Sequence, residues 1–188
     1  MTLAAGALAF ASTGQAAAAP RPSGPPPEMG VVSVLGHKNI VPKRLADEIN
    51  SKDWSRLTLA QLAQAGIYPG MGSGGRVMSK KEAEGSGDVS VLSAKKCKGT
   101  KNKNQVCLTI TGKKLKVTEM STRWYAKYTR YSIASFWKGS NIIHTSQTIH
   151  GSGWLGYYWG KDQKFKDGTT ICTTWQEISY KPCAKIHD

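Results

Sequence analysis

The stretch QVCLTIT at residues 105–111 alternates apolar and polar side chains. In a strand, Val106, Leu108 and Ile110 share one face, and the polar residues between them share the other. A period of two is typical of a half-buried β-strand and differs from the period of a helix. The stretch therefore predicts antiparallel β structure for the C-terminal half of the chain.

The segment KLKVTEM (114–120) also alternates, with Leu115 and Val117 on one face. Three further segments of this half are rich in β-branched and aromatic residues, as strands are: NIIHTSQTI (141–149), WLGYYW (154–159) and TTICTTW (169–175). Turn residues separate them, and Asp167-Gly168 is a strong hairpin signal. We therefore expect an all-β fold, either a small antiparallel β-sandwich or a barrel.

The segment WLGYYW at residues 154–159 carries aromatic side chains on both faces of a strand. One interpretation is a central strand whose rings pack in the core. The other is an exposed ring platform for sugars or a membrane. The core interpretation is favoured, and both stay open at the level of sequence.

The protein is basic, and the charge is concentrated in the C-terminal half. The 188 residues include 26 Lys and Arg against 12 Asp and Glu, which gives a net charge of +14. Residues 96–188 carry 16 of the basic and five of the acidic side chains, hence +11. A surface of this charge attracts polyanions, or simply keeps the protein soluble.

Signatures of several protein classes are missing from the sequence. It has no run of about 18 apolar residues, no phosphate-binding glycine loop, no dinucleotide fingerprint and no zinc-finger spacing. We therefore predict no transmembrane segment, no cofactor and no metal site.

The N-terminus predicts an export signal at residues 1–19. A short apolar stretch, Leu3–Ala11, is followed by Ala17–Ala19, which fits the small-residue rule for signal peptidase. No Lys or Arg precedes the apolar stretch, so a disordered Ala-rich tail is the alternative. We expect cleavage near Ala19 and a secreted, extracellular protein.

Three compositional zones separate this signal from a basic β domain at residues 95–188. Residues 20–41 are rich in Pro and Gly and predict a disordered leader. Residues 42–67 predict a short helical pair. Residues 68–94 are rich in Gly and Ser and predict a flexible linker. The expected β domain is thus preceded by a largely disordered, weakly helical N-terminal region.

The helical pair has recognisable start and stop signals. Thr58 and Gln61 fit a capping box, and Gly66 suits a helix end. Helices this short need a partner surface to be stable. The pair either covers apolar surface of the β domain or belongs to a pro-segment that is later removed.

The four cysteines form two pairs that are close in sequence: Cys97 with Cys107, and Cys172 with Cys183. An even number of cysteines in a small exported domain predicts two disulfides, and four cysteines allow three pairings. The local pairing is favoured because each bridge closes a short loop. The crossed pairings, which tie the first strand to the last, stay open. Neither pair has the CxxC spacing of a zinc site.

The end of the chain carries a family resemblance. The stretch GTTICTTW at Gly168–Trp175, followed by PCAKIH at Pro182–His187, resembles the ends of small secreted actinomycete proteins of unknown function. A looser similarity runs from Cys107 through Val117. The resemblance implies export and a small disulfide-bearing β domain, and it implies no activity.

The candidates for catalysis are His144, His150 and Glu119. Histidine can act as acid or base near neutral pH, and the many Lys and Arg residues suit a phosphate transition state. The spacing of His144 and His150 puts both on one face only if the strand is unbroken. The carboxylates are scarce and no GxSxG elbow occurs. The sequence therefore favours a protein that is not an enzyme.

The segment RWYAKYTRY at residues 123–131 interleaves cations with aromatic rings. Cations attract polyanions through counterion release, and rings stack on bases or sugars. The candidate binding residues are Arg123, Trp124, Lys127, Tyr128 and Arg130.

The expected function is the non-enzymatic binding of an anionic cell-envelope polymer by a secreted protein. Teichoic acid, acidic polysaccharide and nucleic acid are the candidate partners. The alternative is a secreted antibacterial effector, either a cationic bacteriocin-like protein or a small nuclease toxin. A third interpretation is a structural exoprotein, or an inhibitor that presents the Cys97–Cys107 loop to a protease.

Overall fold

The computed structural model describes residues 25–85 and 93–187. The predicted signal peptide, residues 1–19, and the start of the leader, residues 20–24, lie outside the described residues. The described strands are β1 (Met29–Val34), β2 (His37–Pro42), β3 (Gly75–Val77), β4 (Ser93–Lys98), β5 (Val106–Lys113), β6 (Lys116–Ser132), β7 (Ala134–Lys138), β8 (Asn141–Thr145), β9 (Ile149–Lys164), β10 (Thr170–Trp175) and β11 (Cys183–Lys185). The described helices are α1 (Lys43–Asn50), α2 (Leu59–Gln64) and α3 (Lys80–Glu84), and none of them is long and apolar enough to cross a membrane.

The strands build two sheets that pack face to face. The first sheet has the order β11-β10-β7-β8-β1-β2, and the second has the order β3-β9-β6-β5-β4. Neighbouring strands pair antiparallel except β1 and β8, which pair in parallel. Apolar side chains from both sheets form the inner core, among them Phe136 and Trp175 from the first and Leu108 and Trp159 from the second. The predicted all-β fold is confirmed, as a β-sandwich.

From Met29 onward, the segment predicted as a leader forms a β-hairpin that belongs to the first sheet. Strands β1 and β2 pair with each other, and β1 also pairs with β8. Asn141 on β8 holds the hairpin, since its side-chain oxygen accepts hydrogen bonds from the Ser33 hydroxyl (2.9 Å) and the Gly36 N–H (3.1 Å). The prediction of disorder over residues 20–41 is therefore wrong from Met29 onward, because pairing with a distant strand orders this segment.

Helices α1 and α2 confirm the short helical pair predicted for residues 42–67. Thr58 caps α2 in the predicted capping box: its side chain accepts from the Gln61 N–H, and the Gln61 side chain accepts from the Thr58 N–H at 2.9 Å. The pair covers the outer face of the first sheet, where Trp54 packs edge-on against Trp137 with ring centroids 5.5 Å apart. The sandwich therefore has a third, helical layer and a second core.

The segment predicted as a Gly/Ser linker, residues 68–94, also contributes to the fold. It contains β3, which pairs with β9, and the short helix α3. Its glycines serve turns, since Gly70, Gly72 and Gly74 all have positive φ angles that other residues rarely adopt. The prediction of a flexible linker is therefore wrong for the part that forms β3 and α3, and residues 86–92 lie outside the described part.

Each disulfide joins two residues that lie directly opposite each other on neighbouring antiparallel strands. Cys97 on β4 faces Cys107 on β5, and Cys172 on β10 faces Cys183 on β11. The Cα–Cα distances are 4.1 Å and 4.0 Å. The local pairing is confirmed, and each bridge links the edge strand of a sheet to the neighbouring strand of the same sheet.

Candidate functional site

The three candidate catalytic residues lie in different parts of the sandwich. His144 is on β8 of the first sheet, whereas His150 is on β9 of the second, so no unbroken strand carries both histidines. His150 stacks on Tyr131 with ring centroids 4.1 Å apart. Glu119 lies opposite Gly160, near the other end of β9. The structure does not bring these side chains together into one site.

His144 is enclosed by aromatic side chains and is only 1% exposed. It shares a hydrogen bond with the Tyr157 hydroxyl (2.8 Å from Nε2), and its ring stacks on Trp159 with centroids 4.5 Å apart. Two glycines close over this cluster. A Cβ on Gly72 would lie 2.4 Å from His144 Nδ1, and one on Gly75 would lie 1.9 Å from the Tyr157 hydroxyl oxygen. In this packing His144 positions a loop, and a substrate does not reach it.

Hydrogen bonds hold the glycine-rich loop against the cluster. The Met71 N–H donates to the Thr145 hydroxyl oxygen at 2.9 Å, and that hydroxyl donates to the Tyr68 carbonyl oxygen at 2.6 Å. The indole N–H of Trp159 donates to the Ser73 carbonyl oxygen at 2.9 Å. The loop therefore excludes water from the aromatic cluster beneath it.

Tyr157→Phe is expected to reduce the loss of stability at alkaline pH. Burial raises the pKa of Tyr157 to about 12 from an ordinary value of 10.0. The folded protein holds the phenolic proton more tightly than the unfolded chain does, so this contribution is complete below about pH 10 and is lost as the pH rises through about 12. The raised pKa of Tyr157 corresponds to about 3 kcal/mol of stability.

Urea unfolding at about pH 9 and pH 11.5 tests this expectation. The wild-type protein should lose more free energy of unfolding between the two pH values than the Phe variant does. Equal losses would show that the Tyr157 phenol does not contribute to the alkaline transition.

The predicted binding segment lies on β6, and its side chains alternate between the core and the surface. Trp124 is 5% exposed and packs on Trp175 with ring centroids 5.6 Å apart. The structure thus places Trp124 mainly in the core, and only its small exposed part reaches the surface groove that it lines with Tyr125 and Tyr128. Arg123 and Tyr125, on either side of it, lie on the opposite, outer face and are partly exposed.

Irregular pairing turns the next residues of β6 outward. The register between β6 and β9 shifts between Ala126 and Arg130, which is the mark of a β-bulge. Lys127 and Tyr128 fall in this bulge, and Tyr128 is 60% exposed. The Lys127 ammonium lies 5.1 Å from the centre of the Tyr128 ring, and Arg130 forms an ion pair with Glu177 at 3.7 Å. The structure brings these three predicted residues together on one surface.

Two grooves open beside Tyr125, which lines both of them. The first, the bulge groove, has a volume of about 580 Å³. Its cations and rings are Lys103, Lys127, Arg130, Trp124, Tyr125, Tyr128 and Tyr180. The second, the disulfide groove, has a volume of about 650 Å³ and contains the Cys97–Cys107 bridge in its wall. Its cations and rings are Lys95, Lys101, Arg123, Tyr125 and Trp154. We name the two grooves together the basic-aromatic surface.

Strand β9 supplies a ring to this surface from its outer face. Leu155, Tyr157 and Trp159 lie in the inner core, as the core interpretation of WLGYYW predicts. Trp154 lies on the opposite face, directly across from Tyr125, and the two rings meet edge to face with centroids 5.5 Å apart. The segment therefore serves both the core and the surface.

Positive charges crowd the disulfide groove. Burial lowers the pKa of Arg123, and burial together with the charges of Arg123 and Lys101 lowers the pKa of Lys95. Arg123 is held in place because its guanidinium donates to the Ala83 carbonyl oxygen at 3.2 Å and lies 5.6 Å from the centre of the Trp154 ring. An anion bound in this groove would relieve the repulsion between these cations.

Among the residues that the structure describes, no group of three or more His, Cys, Asp or Glu side chains is placed to hold a metal ion. No family model matches the chain, and no curated protein or solved structure matches it either. The fold defines a class, a disulfide-bridged β-sandwich with a helical layer. Its function has to be argued from the basic-aromatic surface itself.

Proposed function

We propose that this protein is a secreted, non-enzymatic binding protein that holds an anionic cell-envelope polymer on the basic-aromatic surface. The observation that carries the proposal is the set of six cationic side chains along two grooves that share one wall. They are Lys95, Lys101, Lys103, Arg123, Lys127 and Arg130. The acidic residues among the described lining are Glu84 and Glu177, and Glu177 is paired with Arg130. The excess of positive charge favours a polyanion.

Aromatic rings add contacts that charge alone does not provide. Tyr128 is exposed, and Tyr125 and Trp154 are partly exposed beside the cations. Such rings stack on sugars and other planar or apolar faces while the neighbouring cations pair with anionic groups. A polymer that alternates anionic groups with sugar or polyol units matches this alternation better than a single small anion does.

The disulfides support an extracellular site of action. Bridges such as Cys97–Cys107 persist in oxidising compartments and are rare in the cytosol. The polyanions that an exported bacterial protein meets include wall teichoic acids and acidic polysaccharides. Together with the predicted signal at residues 1–19, this supports an envelope polymer as the partner.

Co-sedimentation with purified Gram-positive sacculi, with and without teichoic acid, tests the proposal. The oxidised full chain is used because β1 to β3 and the helical pair belong to the sandwich. Retention should require teichoic acid and should fall between low and high salt, since salt screens exposed charges. The triple variant Lys101→Gln, Lys103→Gln, Lys127→Gln should bind about 100-fold more weakly, at about 1 kcal/mol per cation.

A matched control separates a built surface from non-specific attraction. Lys38→Gln, Lys164→Gln, Lys166→Gln removes the same charge from exposed lysines outside both grooves. This control variant should keep nearly all of its affinity. Equal losses in the two triple variants, or retention that ignores salt and teichoic acid, would refute the proposed surface.

The antibacterial alternative receives support only in its cationic form. A nuclease that uses His144 with His150 gains none, because His144 is buried beneath the glycine-rich loop. A cationic effector would bind through the same basic-aromatic surface, and it differs from the proposed binding protein in that its binding would inhibit growth of the target cell. Growth inhibition of Gram-positive cells by the wild-type protein, lost in the Lys101, Lys103, Lys127 variant, is the outcome that would favour it.

A further inference from the structure

A cavity separate from the two grooves opens at the side of the sandwich where two sheet edges meet. Strand β4 is an edge of the second sheet, and β11 is an edge of the first. The cavity has a volume of about 440 Å³, within the range of small-molecule sites. Its described lining residues do not overlap with those of the basic-aromatic surface. We name it the edge cavity.

The inner wall of the edge cavity is apolar. Ile110 on β5, Val117 on β6 and Ile186 after β11 line it, and all three belong to the inner core. Ala94 on β4 is partly buried and packs against the same core. The cavity therefore reaches the apolar interior between the two sheets, where an alkyl chain is favoured over water.

The rim of the edge cavity is cationic. Lys113 and Lys114 lie at the turn between β5 and β6, and Lys185 lies on β11 across the opening. His187 completes the rim, and its Nδ1 lies 3.3 Å from the Asp167 carboxylate. None of the described residues that line the cavity is acidic. Three lysines therefore surround the entrance to an apolar wall.

We propose that the edge cavity binds a single-chain amphiphilic anion, with its alkyl chain against Ile110, Val117 and Ile186 and its anionic head at Lys113 and Lys185. The apolar wall accommodates the alkyl chain of such a ligand, and the lysine rim binds its anionic head. An alkyl chain alone supplies no anionic group to Lys113 and Lys185, and a small anion alone leaves the apolar wall unfilled. A fatty-acid carboxylate and an alkyl phosphate share this chemistry, and the site does not depend on the proposed polymer binding.

Calorimetric titration of the full chain with octanoate, decanoate and dodecanoate, each below its micelle concentration, tests the proposal. Affinity should rise about fourfold for each added methylene until the cavity is full. Decanol, which has the same chain without the charge, should bind at least about tenfold more weakly than decanoate. Decyl phosphate reports which anionic head the lysines prefer, and tighter binding of either head supports the proposal.

Two variants locate the ligand. Lys113→Gln, Lys185→Gln should weaken decanoate binding at least about tenfold, whereas the charge-matched Lys38→Gln, Lys166→Gln should not. Ala94→Leu fills the cavity and should weaken the longest chain most, with its urea midpoint used to verify folding. Retention on sacculi should be unchanged in the Lys113, Lys185 variant. Polymer binding by the basic-aromatic surface and amphiphile binding by the edge cavity are therefore tested independently. Absence of binding by every chain, or equal affinity for decanoate and decanol, would overturn the inference.

Discussion

Replacing Trp175 with alanine is expected to lower the free energy of unfolding by about 3–5 kcal/mol. Trp175 is fully buried between the sheets, where its ring packs on Trp124 and its indole N–H donates to the Thr122 hydroxyl at 2.8 Å. Truncation leaves a cavity in the inner core and removes the partner of a buried hydroxyl. The total free energy of unfolding of such domains is about 5–15 kcal/mol, so this loss is a large fraction of the total.

Urea unfolding of the oxidised protein measures this effect, and Trp154→Ala is the matched control. Trp154 is the same residue type but lies partly exposed on the outer face of β9, beside Arg123. Its truncation should change the free energy of unfolding by less than about 1 kcal/mol, because surface substitutions leave no core cavity. The same substitution should weaken polymer retention. Similar destabilisation by the two substitutions would contradict the assignment of Trp175 to the core and Trp154 to the surface.

Local patterns predicted the C-terminal half of the fold well. The alternation in QVCLTIT correctly predicted that Val106, Leu108 and Ile110 face the core, because a half-buried strand imposes a period of two wherever it lies. The spacing of the cysteines favoured the two bridges that form. The capping box at Thr58 was also recognisable, since all its hydrogen bonds are made within one turn of helix. Features made by near neighbours in the chain can thus be predicted from sequence.

The contribution of the N-terminal half could not be predicted in the same way. Strand β1 pairs with β8, and Ser33 meets Asn141 across more than half of the chain. The Pro/Gly-rich composition before Met29 indicates only that the segment has little tendency to form regular structure by itself. It does not show that a strand distant in sequence, here β8, can pair with the segment and order it. The glycine-rich stretch at residues 70–75 was misleading in the same way. Its composition is the same whether its glycines form ordered turns, as they do here, or a flexible linker.

The residues of the basic-aromatic surface were predicted in part. The segment at residues 123–131 correctly located cations and rings on one strand, but alternation along that strand divides them between two faces. Trp124 is therefore in the core, and Tyr125, which was not selected, joins the two grooves. Lys95 and Trp154 come from other strands, and only the register of β4 and β9 brings them beside Arg123. A surface built across strands needs the pairing of the sheet, which no single segment encodes.

Removing the Cys172–Cys183 bridge by Cys172→Ala, Cys183→Ala is expected to lower the free energy of unfolding by about 3 kcal/mol. The bridge links residues 11 apart, and the loop-entropy relation gives about 3 kcal/mol for a loop of this size. Strand β11 is short and lies at the sheet edge, so the bridge is a main tie that keeps Ala184 and Ile186 in the inner core. Urea unfolding measures the loss, and a decrease of less than about 1 kcal/mol would contradict the expectation.

The second bridge provides a control that separates stability from function. Cys97→Ala, Cys107→Ala opens a loop of nearly the same length, with a sequence separation of 10, so its expected loss is also about 3 kcal/mol. The two bridges hold different surfaces, however. Cys97 lies in the wall of the disulfide groove, whereas Cys183 begins the strand that carries Lys185 at the rim of the edge cavity. Under conditions in which both variants stay folded, the first should lose polymer retention and the second should lose decanoate binding. Equal losses of polymer retention and of decanoate binding in both variants would mean that the bridges act only through global stability.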